Sequence, residues 1–187
     1  MRESAAVPGR HSVTVDVAAI EQQLWPRGGN RDVWMIVDGA RDRKIYWEIT
    51  NSHLECSCLY SGDIPFELEA VAPHLVQLEF EDKSTRDLIR RAWGNSWGIF
   101  LTCDASMVRL RRHLRGFLVV QDWSGKRLVF RYYDPRVFRE YLPTCTSDEL
   151  KTVFGPIQQF WAENETSDHL LKFDFQRGTL VKSEFPV

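Results

Sequence analysis

The residues from Leu128 to Leu142 change period in mid-course, and that change fixes a strand-to-helix junction. Leu128 to Tyr133 is rich in β-branched and aromatic residues and reads as a strand. Asp134-Pro135 then ends the strand and opens a helix. An Asp at the N-cap accepts a backbone N–H, and a Pro at the first helical position gives up no bond that the helix needs. Val137, Phe138, Tyr141 and Leu142 follow at helical spacing.

The same alternation of periods runs along most of the chain. Asp16 to Trp25 reads as a helix with Val17, Ile20 and Leu24 on one face, ended by Pro26 and Gly28-Gly29. Trp34-Met35-Ile36-Val37 is a continuous apolar run, the mark of a buried strand, stopped by Asp38-Gly39. Asp42 to Thr50 reads as a helix. Leu75 to Phe80 alternates, with Val76, Leu78 and Phe80 apolar, which predicts a half-buried strand. Ser84 or Thr85 is the expected cap of a helix through Trp93. Trp97 to Cys103 reads as a strand, and Ser106 to Arg115 as a helix with Met107, Leu110 and Leu114 inward. Residues 117–121 and 127–133 are expected strands of one hairpin across Ser124-Gly125-Lys126. Ser147 is the expected cap of a short helix ending at Gly155-Pro156, and strand-like runs follow around 170–175 and 179–182.

Together these elements predict an α/β (α+β) fold, a mixed β-sheet with packed helices in a single compact domain. The expected core holds Trp34, Ile36, Val76, Leu78, Ile99, Leu101, Leu110, Leu114, Val129 and Phe130. Residues 1–11 read as a flexible lead-in, 12–161 as the domain, and 162–187 as a short strand-like extension.

Charge is uneven although the net is only −2. From Glu48 to Asp82 there are eight acidic residues and no Lys or Arg, whereas Ala105 to Tyr141 holds nine Lys or Arg against three acids. Such a dipolar chain can steer a charged partner. The abundance of Trp and Phe, seven and eleven, suits a solid core with aromatics to spare for a partner surface. No apolar run approaches the ~20 residues that span a bilayer, and the N-terminus lacks a signal-peptide apolar region. The four cysteines have no framework spacing, so they read as reduced thiols of a cytoplasmic protein.

Catalytic templates are missing from the sequence: it has no GxSxG, GxxxxGK[ST], GxGxxG or HExxH. The five histidines have no HxxxH or HxH spacing, so neither a metal nor another cofactor is expected. A Cys103–His113 pair can be imagined as nucleophile and base, although nothing in the sequence selects it over other combinations, and it defines the alternative of a small cytosolic hydrolase with an unrecognised Cys/His site. Trp93 and Trp97 are expected in the core, and Arg131 is expected to pair with a carboxylate such as Asp38.

Seven tags come in a fixed order. They are Val37-Asp38-Gly39-Ala40, Ser57-Cys58-Leu59-Tyr60-Ser61-Gly62, Val71-Ala72-Pro73-His74-Leu75-Val76 and Ser96-Trp97-Gly98-Ile99-Phe100. His113-Leu114-Arg115, Phe130-Arg131-Tyr132-Tyr133-Asp134-Pro135-Arg136-Val137 and Phe154-Gly155-Pro156-Ile157 complete the series. In these the chain resembles the effector chaperones, or adaptors, of bacterial type VI secretion systems, over about residues 33–161. The motif residues carried by the resemblance are Asp38, Tyr60, Pro73, Trp97, Gly98, Arg131, Asp134, Pro135, Gly155 and Pro156. It implies a protein that is not an enzyme. Such a protein binds a toxic effector in the cytoplasm and loads it onto the VgrG spike, with neither nucleic acid nor membrane as a partner. Few residues follow the Gly155-Pro156 tag, so a near-minimal form of the domain is expected. Three surfaces are candidates for partners: the basic helix 106–115, the aromatic tail from Phe160 to Phe185, and a free strand edge. Effector contact is assigned to Arg109, Arg112 and Arg115 with neighbouring Arg136 and Arg139, because charge of one sign favours selective encounter with an acidic segment.

Overall fold

Local capping chemistry sets most of the element boundaries in the computed structural model, which describes residues 15–26 and 31–187. Asp16 accepts N–H groups at the start of α1 (Val17–Leu24), and β1 (Val33–Asp38) follows. Asp42 caps α2 (Arg43–Thr50), which leads through β2 (Cys56–Cys58) and α3 (Phe66–Glu69) to β3 (Pro73–Leu78). Next come α4 (Lys83–Ala92), β4 (Gly98–Thr102), α5 (Met107–Arg115), and the short strands β5 (Val119–Gln121) and β6 (Arg127–Val129). The chain ends with α6 (Pro135–Tyr141), α7 (Ser147–Phe154), β7 (Gln159–Glu163), β8 (His169–Gln176) and β9 (Thr179–Pro186).

Seven strands form one sheet in the order β2-β3-β1-β4-β7-β8-β9, and each pairing is antiparallel. Successive side chains of a strand point to opposite faces. Trp34 and Ile36 of β1 therefore enter one apolar cluster, with Leu110, Leu114, Phe138 and Phe154 from α5, α6 and α7. Val33, Met35 and Val37 enter the other, with Ile20, Ile45, Ile49 and Ile89 from α1, α2 and α4. Helices thus cover both faces. That explains why β1 is an unbroken apolar run rather than an alternating one.

The α+β architecture follows the expectation, and so do eight of the ten expected core residues, all buried from Trp34 to Leu114. Phe130 packs half-buried against the first cluster, and Val129 departs from the expectation. The strand expected over 127–133 stops at Val129, which is 59% exposed, because β5 and β6 form a separate two-stranded ribbon. Tyr132 and Tyr133 lie in a turn instead, held where the Tyr132 hydroxyl donates to Leu114 O at 3.0 Å. β3 is not half-buried: Leu75 is fully buried beneath the first cluster while Val76 lies in the second. Two caps move by a residue or more. Asp82, not Ser84 or Thr85, starts α4, and Thr146 rather than Ser147 starts α7 through a capping box with Glu149.

The boundary drawn at residue 161 falls inside β7, and β8 and β9 continue the same sheet, with Leu170, Leu171 and Phe173 buried. The lead-in 1–11 and the helix end at Gly28-Gly29 lie outside the described residues. Among the described residues no helix is long and apolar enough to cross a membrane.

Candidate functional site

Most of the motif residues meet at the end of the sheet where β1 finishes. Asp38 is buried there, and its N–H donates to Trp97 O at 2.7 Å. Its carboxylate accepts from Ala40 N at 3.1 Å and pairs with the Arg131 guanidinium, the partnership expected from the sequence. Pro73 stands opposite Asp38 in β3 and accepts from Leu59 N at 2.8 Å. Trp97 is buried beside Gly98, whose backbone lies against Ile36 O and Val37. Tyr60 and Tyr133 complete the cluster. Burial, with the Asp38 charge adding to it, pushes both phenols above their ordinary range.

Asp134 and Pro135 do what their cap chemistry dictates. Asp134 accepts from Arg136 N at 3.0 Å and takes a two-pronged bond from the Arg136 side chain, at 3.0 and 2.6 Å. These donors hold its carboxyl below the usual range although burial alone would raise it. Gly155 and Pro156 sit elsewhere. Gly155 adopts φ +47° where α7 ends against the His113 ring, and Pro156 O accepts the Cys103 thiol at 3.2 Å. That tag is a packing corner, not a part of the Asp38 cluster.

The five arginines assigned to a partner do not form one continuous face. Arg109 and Arg112 project into solvent from α5, Arg115 is half-buried, and none of the three has an ion pair among the described residues. Arg136 is engaged by Asp134. Arg139 donates to Glu163 O at 2.7 Å and borders, together with Arg136, a hollow lined by Gly94, Ser96 and Glu163 and by no residue of α5. The remaining arginine of the basic helix, Arg111, is internal: it donates to Cys58 O at 2.6 Å and Tyr60 O at 2.7 Å, tying α5 to the end of β2.

Cys103 and His113 have separate partners. The thiol donates to Pro156 O, while His113 Nε2 lies 2.8 Å from Val153 O. Burial pushes the thiol up and the imidazole down, the reverse of what a thiolate–imidazolium pair requires. Among the described residues, His53, Glu79 and Asp82 form the one group able to present three metal-ligating atoms together. His53 and Glu79 are exposed and Asp82 already caps α4.

His113 and His74 make stability sensitive to pH. Burial lowers both imidazoles below their ordinary value, against a smaller opposing effect of the carbonyls they meet, Val153 O and Ala72 O. The unfolded chain therefore binds protons that the folded chain refuses, and stability drops as pH falls through the ordinary imidazole range. The urea midpoint is expected to decrease between about pH 7.5 and about pH 5.5, with a shallower decrease in His113→Gln. Glu163 acts in the opposite sense. Burial raises its carboxyl, so its contribution is lost as pH rises above the ordinary carboxylate value.

Two exposed apolar patches were not singled out in the sequence. Tyr46 and Trp47 of α2 meet Phe66 of α3 edge-on or tilted at 5.5–5.9 Å, with Leu68 and Val71 exposed nearby. Tyr46 also touches His74, so this patch lies on the face of the second cluster. The β5–β6 ribbon exposes Val119, Val120, Trp123, Leu128 and Val129 and is rooted in the first cluster through Leu118 and Phe130, on the opposite face. The aromatic tail, by contrast, is mainly core: Phe160, Trp161 and Phe173 are buried. A Trp beside a Ser-Gly turn was the available signal for the ribbon.

The family described as "Domain of unknown function (DUF4123)" matches residues 33–152. No curated protein and no solved structure matches the chain.

Proposed function

We propose, from the premise that this chain belongs to the DUF4123 family, that it is a non-catalytic adaptor that binds a type VI secretion effector in the cytoplasm and helps load it onto the VgrG spike. The type VI assignment rests on the resemblance of the seven tags. The observation that carries the adaptor reading is the pair of exposed apolar patches on opposite faces of one rigid sheet. A loading protein must hold two partners at once, and patches separated by a buried sheet can be occupied without collision. The chemistry around the Asp38 cluster fits this reading: its charges are spent on each other and on caps rather than aimed into a cleft.

The basic helix is assigned to the effector, because Arg109, Arg112 and Arg115 are cations without ion-pair partners among the described residues. Co-purification of the cognate effector with wild type and with the triple variant R109E/R112E/R115E tests it. Capture is expected to fall about tenfold or more, as reversal of an electrostatically complementary surface does. Undiminished capture by the folded triple variant would remove the helix from the effector surface. Failure of the wild type to hold either effector or spike would overturn the adaptor reading itself.

A further inference from the structure

The β5–β6 ribbon is built in a way that its own fold does not explain. Its strands have three residues each and pair Val119 with Val129, Val120 with Leu128 and Gln121 with Arg127, apart from the seven-stranded sheet. An isolated ribbon of this size is marginal in water. Its turn is nevertheless fixed: the Asp122 carboxylate accepts from Ser124 N at 2.8 Å, Ser124 Oγ at 2.6 Å and Lys126 N at 3.0 Å, and Gly125 supplies φ +81°. That turn holds Trp123 away from the protein with 99% of its surface exposed. Val119 and Val129 lie exposed on one face of the ribbon, and Val120 and Leu128 on the other. Beneath it is a cavity of about 80 Å³ lined by Leu114, Phe117, Val120, Phe130, Tyr132 and Tyr141.

The charges on and beside this apolar surface are mainly positive. Arg112 and Arg115 occupy the last turn of α5, whose carbonyl at Arg115 accepts Leu118 N at the foot of the ribbon. Lys126 and Arg127 project from the ribbon itself and are exposed. The one acid of the ribbon, Asp122, is bound by the donors of the turn, which hold its carboxyl low and so keep it ionised. A partner that covers the apolar residues therefore lies beside a surplus of cations, and Asp or Glu is the complement.

Backbone pairing is a poor source of affinity here, because a strand added to a three-residue edge gains few hydrogen bonds. Side-chain burial has to supply it, with the exposed Trp as the residue type most enriched among dominant interface contacts. We propose that the ribbon and the hollow beneath it are the docking surface for an amphipathic helix whose apolar face is flanked by aspartates and glutamates. The proposal deepens the adaptor reading, on which the identity of the partner as an effector rests. The chemistry of the surface stands apart from that identity.

A fluorescein-labelled synthetic peptide tests the surface directly. The probe is an amphipathic helix with leucines and phenylalanines on one face and glutamates on the other, beside a twin carrying lysines for the glutamates. Anisotropy is expected to show binding of the glutamate peptide to the full chain, about tenfold weaker for the lysine twin and weaker as salt rises from about 0.05 to about 0.3 M. The variant W123S/L128S alters two exposed side chains, Leu128 being the one paired with Val120 on the face of the hollow, so it should keep the wild-type unfolding midpoint and lose about tenfold or more in affinity. Equal binding of the two peptides, no binding to wild type, or undiminished binding to W123S/L128S would overturn the proposal. So would a dimer of the free protein that W123S/L128S dissolves, since a second copy would then be the occupant. Peptide binding without effector capture would leave the surface standing and sink the adaptor reading; effector capture that ignores W123S/L128S would do the converse.

Discussion

Gly98→Ala is expected to destabilise the protein by about 3 kcal/mol or more, a large part of the ~5–15 kcal/mol that holds a domain together. Gly98 opens β4 and pairs with Val37 at the centre of the sheet. A Cβ added there would lie 1.8 Å from Ile36 O and 3.1 Å from Val37 Cα. Both obstacles are backbone, so no side chain can swing aside. Relief requires β1 and β4 to separate, which would also pull Trp97 O from Asp38 N and unsettle the Asp38–Arg131 pair behind it. Gly62→Ala is the contrasting variant. Nothing lies within 4 Å of its Cβ position, but its φ of +89° is unfavourable for alanine, so about 1 kcal/mol is expected. Urea midpoints of the two variants check the ordering. A loss under about 1 kcal/mol for Gly98→Ala would mean that the β1–β4 register has slack the geometry does not show.

How far the sequence revealed this arrangement depended on whether neighbours in the chain carried the information. β1 was legible because burial on both faces writes itself as an unbroken apolar run, and the Asp134-Pro135 cap was legible because its partner, Arg136 N, is two residues away. Arg131 with Asp38 was readable as chemistry, an arginine beside a helix start seeking a carboxylate, although 93 residues separate them. β3 misled because Gln77 and Glu79 imitate the polar face of an alternating strand, while Leu75 is covered by helices that its own sequence cannot announce. Arg111 looked like its neighbours on the basic helix. Its spacing from Met107 and Leu114 places it next to the inward face, and that was the signal separating it from Arg109 and Arg112. The ribbon was read as a hairpin, but β-branched residues look alike in a sheet core and on a solvent-facing ribbon. Only tertiary placement distinguishes Val129, exposed, from Val76, buried.

Arg131→Ala is expected to cost about 3 kcal/mol, the lower end of what breaking a buried ion pair does. Asp38 has 1% of its side chain exposed, so loss of the guanidinium strands a carboxylate with one backbone donor, Ala40 N. The lower end applies because the Arg131 side chain is itself 42% exposed, and water can enter the space it leaves. Asp38→Asn in the Arg131→Ala background should recover part of the loss, because a neutral amide is cheaper to leave unpaired than a charge. The double-mutant cycle therefore carries the argument: a positive coupling between Asp38 and Arg131 marks a pair that anchors the turn before α6 to the end of β1. A single-variant loss under about 1 kcal/mol would place the pair with ordinary surface ion pairs. The same variants separate structure from partner contact. If the motif serves the fold, effector captured per folded molecule should match wild type in both, while the fraction folded declines. Reduced capture by a fully folded Arg131→Ala would instead make Arg131 a contact residue, and the motif a surface that the partner reads.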